Sequence, residues 1–241
     1  MNPPLPILAR GDHWVVAAKP PRLLVHRTAM STDRVVMLQW LRDQLGTRVA
    51  AMHRIDRPAS GCVLFATSEP HRRPLHEALA QDSTEKHYLA LVRGELPVGD
   101  SIVLDGEVDE KEARTDVTVL ASQPDLRCAL VRCRIHTGRF HQIRRHLARI
   151  GRPILGDSKH GDTRVNKQWR DQHGLTRLAL HAWSLSLDFE GERIEARCPL
   201  WPDLQRVLRA QPLWADAIAA EPLLDEGWDE TPPWPGRPPA D

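Results

Sequence analysis

The stretch HRIDRPASG, from His53 to Gly61, places a single carboxylate, Asp56, between Arg54 and Arg57 with a histidine just upstream. Pro58 and Gly61 stop any helix from running through it, which puts the aspartate on a turn ahead of the apolar run CVLFATS. A neighbouring cation favours the ionised form of a carboxyl group, and an ionised carboxylate serves as nucleophile or general base. A turn aspartate paired with an adjacent arginine explains the same nine residues without any chemistry, and on these residues alone it is the better account.

Other catalytic patterns are weaker. Of the twelve histidines, His141 and His146 are five apart, and the one His-Glu pair, His76 with Glu77, lacks the second histidine of a HExxH zinc site. No GxGxxG or GxxxxGK loop is present, and no Ser/His/Asp order competes. The cysteines (Cys62, Cys128, Cys133, Cys198) form no CxxC pair and lie mostly in apolar, strand-like surroundings, where a thiol behaves as a small hydrophobe. Neither structural zinc nor a disulfide framework is expected. His181, inside LALHAWSLSL, reads as a strand histidine with a hydrogen-bond partner. No metal and no cofactor are expected.

Charge is divided unevenly along the 241 residues. From Trp214 onward there are seven acidic residues and one basic, Arg237, which leaves 32 basic against 25 acidic residues before it. Only five of the basic residues are lysines, and the arginine fork suits phosphates and stacked bases better than an ammonium does. From Arg127 to Arg152 there are eight arginines and no acid. With Thr137 near the N-cap, Phe140, Ile143, Leu147 and Ile150 form one stripe of a helix, and His141, Arg144, Arg145 and Arg149 spread over its other faces. A merely solvated face normally mixes signs to gain i,i+4 pairs, so this one points to phosphate or nucleic-acid binding.

The elements that must hold these residues are legible as period-2 and period-3.6 patterns. Strands are expected at 14–20, 61–68, 86–94, 128–138, 178–187 and 193–199. Helical spacing occurs in VVMLQWLRDQLG, where Val35, Leu38, Leu41 and Leu45 share a face, in HRRPLHEALAQ and in GRFHQIRRHLARIG. Strands and helices mix without a βαβ rhythm, so an α+β class fits better than a doubly wound sheet. Residues 1–213 are expected to form the domain and 214–241 an acidic, Pro-rich tail without a core of its own. No apolar run approaches the roughly 20 residues of a membrane span, and the start lacks the order of a signal peptide; a cytoplasmic location is expected.

A lone carboxylate on a basic, RNA-sized surface suggests cofactor-free chemistry on a base, and here the residues match a known family. HRIDRPASG resembles the HRLDxxTSG motif of the RluA family of pseudouridine synthases. Four further segments agree in order: KPPRLLVHR (19–27), KHYLALVRG (86–94), TGRFHQIRRHLARIGRPILGD (137–157) and LALHA (178–182). The resemblance implies a catalytic fold with a mixed, mostly antiparallel bent sheet flanked by helices and loops, and an RNA-binding cleft across the sheet. It implies an isomerase that detaches uracil from ribose at N1, rotates it and rejoins it through C5. By the same resemblance, Asp56 starts the reaction, by attack on ribose C1′ or action on the C2′ proton. Tyr88 stacks on the target base, Arg144 pairs with the aspartate, and Arg54 displaces the nucleotide from its stack, which chemistry on a paired base requires. RNA contacts are expected from Arg54, Lys19, Arg139, His141, Gln142, Arg145, Arg149, Lys159 and Arg164.

The chain departs from the family pattern at Arg22, where KPxG has glycine, and at Ala59 and Ile55. No S4-type RNA-binding domain is expected ahead of the first catalytic strand at Trp14. LVHRT, the proline after the HRIDR arginine, and GDSKHGDTRVNKQW resemble the branch that modifies tRNA at position 65 more than the ribosomal branches. The polar segment 157–174 reads as a substrate-reading loop. The partner is then RNA, most specifically tRNA, with no membrane and no obligate protein partner. The alternatives are a ribosomal RNA synthase of the same family and, from different classes, a non-catalytic RNA-binding factor or a metal- or histidine-dependent nuclease.

Overall fold

A computed structural model describes residues 3–27, 35–229 and 232. In chain order the elements begin with β1 (Ile7–Arg10), β2 (Trp14–Lys19), α1 (Met37–Leu45), β3 (Ala50–Ala51), β4 (Ser60–Ala66) and α2 (Arg72–Leu79). They continue with β5 (Glu85–Arg93), β6 (Ser101–Glu107), β7 (Glu112–Gln123), β8 (Cys128–Ile135), α3 (Gln142–Arg149) and α4 (Thr163–His173). β9 (Leu180–Phe189), β10 (Glu192–Arg197), α5 (Pro202–Arg209) and α6 (Leu213–Ala220) follow, with a 3-10 turn over Pro222–Asp225. The class is α+β, and every strand pairing with a resolved register is antiparallel.

Two compact units divide the chain. The first runs through Glu85 and takes in Ala182–Cys198 and the described residues after Gly227. Its strands are ordered β1-β2-β4-β9, with β10 paired to β9 and β3 to β4. β2 and β4 are buried along their whole length, as expected for short continuous apolar runs covered on both faces. Gly61, the second residue of β4, has φ +121, and a Cβ there would stand 2.1 Å from the Ala182 carbonyl oxygen, so only glycine fits. In α1 the buried face is Met37, Trp40 and Leu41 rather than Val35, Leu38, Leu41 and Leu45. The helix starts later than its apolar pattern, with Val36 as an extended N-cap, and Val35 falls outside the helical register.

The second unit, Lys86–His181 with Pro199–Gly227, carries strands in the order β5-β8-β7-β6. β7 alternates buried and exposed residues over its first half, the mark of a strand with one face on a core. The six strands expected from sequence are present, each within about two residues at its start; β1, β3, β6 and β7 were not anticipated. The boundary drawn at 213/214 falls at the start of α6. Leu213, Trp214, Ala217 and Leu224 are buried, and Glu221 pairs with Arg132 of β8 at 2.6 Å. Residues up to Asp225 therefore fold with the second unit despite their acidity. The Pro-rich end, apart from Pro232, lies outside the described residues.

Candidate active site

In the first unit, the loop from β3 to β4 carries Arg54, Asp56 and Arg57. Ile55 and Ala59 are buried beneath it, Asp56 is half-buried, and the two arginines are exposed. The turn closes through the Ala59 amide donating to the Asp56 carbonyl at 3.0 Å. Upstream, the Leu64 amide donates to His53 Nε2 at 3.1 Å, which places the proton of the neutral ring on Nδ1. Below the loop lies Lys19, 0% exposed at the end of β2. Its ammonium donates to the carbonyls of Pro20 (2.8 Å), Leu23 (2.7 Å) and Arg57 (3.2 Å). Lys19 is thus a buried strut and not the RNA contact expected of it, because a charge this deep persists only with its hydrogen bonds satisfied internally.

Arg57, for which the sequence offers no role, ties the same corner together: its carbonyl accepts from Lys19 and its Nε donates to the Arg22 carbonyl at 3.2 Å. Arg22 itself has φ 67, so the turn keeps the left-handed backbone for which glycine is the usual residue.

In the second unit, α3 begins later than its pattern suggests. Its N-cap is His141, left-handed at φ 57 and without a side-chain cap, and not Thr137. The left-handed residue breaks the register, so the expected apolar stripe is halved: Ile143 and Leu147 are buried, while Phe140 is 43% and Ile150 39% exposed. Gln142, expected to contact RNA, is also buried. Its Oε1 accepts from the Thr137 hydroxyl (2.6 Å) and the Arg139 amide (3.1 Å), and its Nε2 donates to the Arg114 carbonyl (2.9 Å) and Thr115 Oγ1 (3.0 Å). Its Nε2 joins α3 to β7, and its Oε1 ties the loop ahead of the helix to the same point.

Arg144 is buried as well, not spread on a solvated face. Its Nε and Nη2 both donate to the Asp157 carboxylate at 2.7 Å, a bidentate pair with side-chain exposures of 5% and 0%. Asp157 also accepts from the amides of Lys159 (2.9 Å) and His160 (3.0 Å). Burial alone would raise its carboxyl; the Arg144 hydrogen bond, the two amides and the guanidinium charge outweigh that and hold it below the usual carboxylate range. The guanidinium is thereby fixed through two of its five hydrogens, leaving its Nη1 edge oriented but not consumed by this carboxylate. Tyr88, the only tyrosine of the chain, lies buried on β5 opposite Cys133 of β8.

Around α3 the remaining expected RNA contacts are at the surface. Arg145 pairs with Asp109 at 2.6 Å, Arg149 donates to the Glu107 carbonyl at 2.7 Å, and Arg139 to the Glu112 carbonyl at 3.1 Å. His141 Nδ1 and His160 Nε2 share a hydrogen bond of 3.0 Å, and Lys159 stands nearby. Burial first, then the Arg144, Arg145 and Lys159 charges, lowers the His160 pKa against the pull of Asp157, which keeps that ring neutral near pH 7. Arg164 is exposed on the first turn of α4. That helix occupies much of the segment expected as a loop: Asp162 caps it by accepting from the Arg164 and Val165 amides, and Gly174 ends it at φ 70.

The structure thus groups Asp56, Arg54 and Lys19 in the first unit, and Arg144, His141, Arg145 and Lys159 around α3 in the second. Sequence reasoning missed Asp157 as the partner of Arg144, although an acid closing the arginine-rich segment was a usable signal. The four cysteines are buried, and burial pushes the Cys128 and Cys133 thiols up to about 12. His181 is fully buried on β9. Among the described residues no cluster of histidine, cysteine or acidic side chains is arranged for a metal ion, and no helix is long and apolar enough to cross a membrane.

Comparison with known proteins identifies the family. The profile of the RNA pseudouridylate synthase family matches residues 13–149, more than half of the chain. The tRNA pseudouridine synthase C of Salmonella typhimurium is 39% identical over 203 residues, covering 73% of this chain and 77% of the relative. The protein of the same name from Yersinia pestis is 36% identical over 211 residues, covering 76% and 81%. Among solved structures, human RNA Pseudouridylate Synthase Domain Containing 1 superposes with a TM-score of 0.67 at 22% identity, over 85% of this chain and 89% of the other, which bears on the fold alone. With the HRIDR turn and the arginine-rich helix both inside the matched span, this chain belongs to the RNA pseudouridylate synthase family.

Proposed function

We propose that the protein converts a uridine of tRNA, at position 65, to pseudouridine, with Asp56 as the carboxylate that starts the reaction. The observation that carries the choice of tRNA is the 39% identity over most of both chains to a relative named tRNA pseudouridine synthase C. The geometry supports the choice of Asp56. A carboxylate that must act on ribose C1′ or C2′ has to be held still, and this one sits on a short turn pinned by Ile55 and Ala59 below and by Lys19 through the Arg57 carbonyl. Tyr88 and Arg144 keep the assisting roles that the family resemblance assigns, with Asp157 orienting the Arg144 guanidinium. Arg54, exposed at the edge of the turn, is the residue assigned to displacing the nucleotide. The arginines around α3 offset the cost of unstacking, about a few kcal/mol, through phosphate contacts. Cytoplasmic tRNA is the substrate pool.

Pseudouridine mapping of tRNA and ribosomal RNA from cells lacking the protein tests this reading. A mark missing from tRNA position 65, restored by the wild-type chain, is the expected result. A mark missing from ribosomal RNA instead would keep the family chemistry and overturn the tRNA assignment.

A further inference from the structure

Phe140 is an aromatic residue of the arginine-rich segment to which neither the core nor the proposed chemistry gives a role. It belongs by spacing to the apolar stripe of α3, yet the left-handed His141 turns it out of register and leaves it 43% exposed. The ring is not loose. It stacks on the His141 imidazole, with centroids 3.8 Å apart and planes inclined at 22°. His141 is in turn fixed by its hydrogen bond to His160. Two cations flank the phenyl ring, with Lys159 Nζ 5.4 Å and Arg145 Cζ 5.8 Å from its centroid. A non-glycine residue held at positive φ persists only where its surroundings over-determine it, and here what it achieves is the outward presentation of an aromatic ring.

An exposed aromatic braced from behind and bordered by cations has a defined complement: a flat π-face attached to a chain of negative charge. An unpaired nucleotide has both, whereas a base inside a duplex has its faces covered and an acidic peptide has no face to offer. We propose that Phe140 is a stacking platform for an unpaired nucleobase of the RNA, distinct from the target uridine, with Lys159 and Arg145 reaching its flanking phosphates. This rests on the RNA-modifying reading above and adds a second base contact to it. Arg145 gives up only its surface pair with Asp109 to do so, a small loss in water.

Binding of a tRNA transcript by the full chain, measured for wild type and for Phe140→Leu, Phe140→Ala and Phe140→Trp, tests the platform. Leucine preserves apolar bulk behind which His141 stays propped but has no π-face. Phe140→Leu and Phe140→Ala are both expected to weaken binding about tenfold, while Phe140→Trp holds wild-type affinity. Thermal melts of the variants should coincide with wild type, since the ring is outside the core. Wild-type affinity in Phe140→Leu, or a loss in Phe140→Trp equal to that in Phe140→Ala, would overturn the platform. The same series in the Asp56→Asn background separates the two claims. If the wild-type chain forms no pseudouridine but the aromatic dependence of binding persists, the platform stands and the catalytic reading fails.

Discussion

Arg144 and Asp157 form a buried, bidentate ion pair, and such pairs cost more to break than they contribute whole. Asp157→Asn removes the charge but keeps the shape, leaving the buried guanidinium without the Asp157 carboxylate charge; a loss of about 3 kcal/mol is expected. Its pH dependence has a definite sign. The Asp157 carboxyl lies below its unfolded value, so the stability it contributes is present above about pH 3.9 and is lost as pH falls through the folded value. His146 and His160 are also held below their ordinary values, chiefly by burial, and their contribution fades from about pH 6.5 downward. Denaturant melts from about pH 7 to pH 3 should therefore show two declines in wild type, and Asp157→Asn should keep the histidine decline and make the acid one shallower, since the Asp116, Asp162 and Asp203 carboxyls, also held below their ordinary values, remain. An unchanged acid limb would remove Asp157 from among its sources. The sequence marks this pairing only by the first acid to follow the arginine-rich segment, with three further arginines between Arg144 and Asp157 as competing partners. Lys19 is similar: a lysine at the end of an apolar strand reads as a surface charge until Pro20, Leu23 and Arg57 are folded over it.

At the scale of elements, the arginine-rich helix differs from its sequence in where its acids come from. The segment contains none, yet Arg145 finds the Asp109 carboxylate, while Arg149 donates to the main-chain carbonyl of Glu107, both near the turn between β6 and β7. These contacts are exposed and exchange readily for phosphate. Arg145→Ala and Arg149→Ala are each expected to weaken tRNA binding and to reduce the slope of log affinity against log salt by about 1. Titrations at several salt concentrations check this, and parallel slopes for wild type and variants would assign the two arginines to the hairpin alone. The strands buried on both faces, β2 and β4, were legible because an apolar run of that length has few other fates. β7 alternates, but its exposed positions are charged and it follows an acidic turn, which hides it among loop residues. α4 resembles a loop because only Val165 and Trp169 mark an apolar face; its Asp162 cap and terminal Gly174 are the better evidence.

At the scale of the molecule, the chain makes each unit from non-contiguous segments, the first taking back Ala182–Cys198 after the second has begun. No reading of local periodicity anticipates such a return, which is why the six expected strands came without an order. Charge misled in the same way at the far end: acids from Trp214 onward suggested a tail, whereas Leu213, Trp214 and Ala217 supply the buried face of α6. The chemistry was the most legible level, because turn, tyrosine strand and basic helix each carry a short motif whose residues stay close in sequence. What those motifs claim together is that Asp56 is the reacting group. Purified wild-type and Asp56→Asn proteins, incubated with a tRNA transcript and assayed for pseudouridine, test that most directly. Formation of pseudouridine by wild type and a loss of at least about 10³-fold in the variant, with tRNA affinity retained, is predicted. Turnover by Asp56→Asn at a rate near wild type would contradict it.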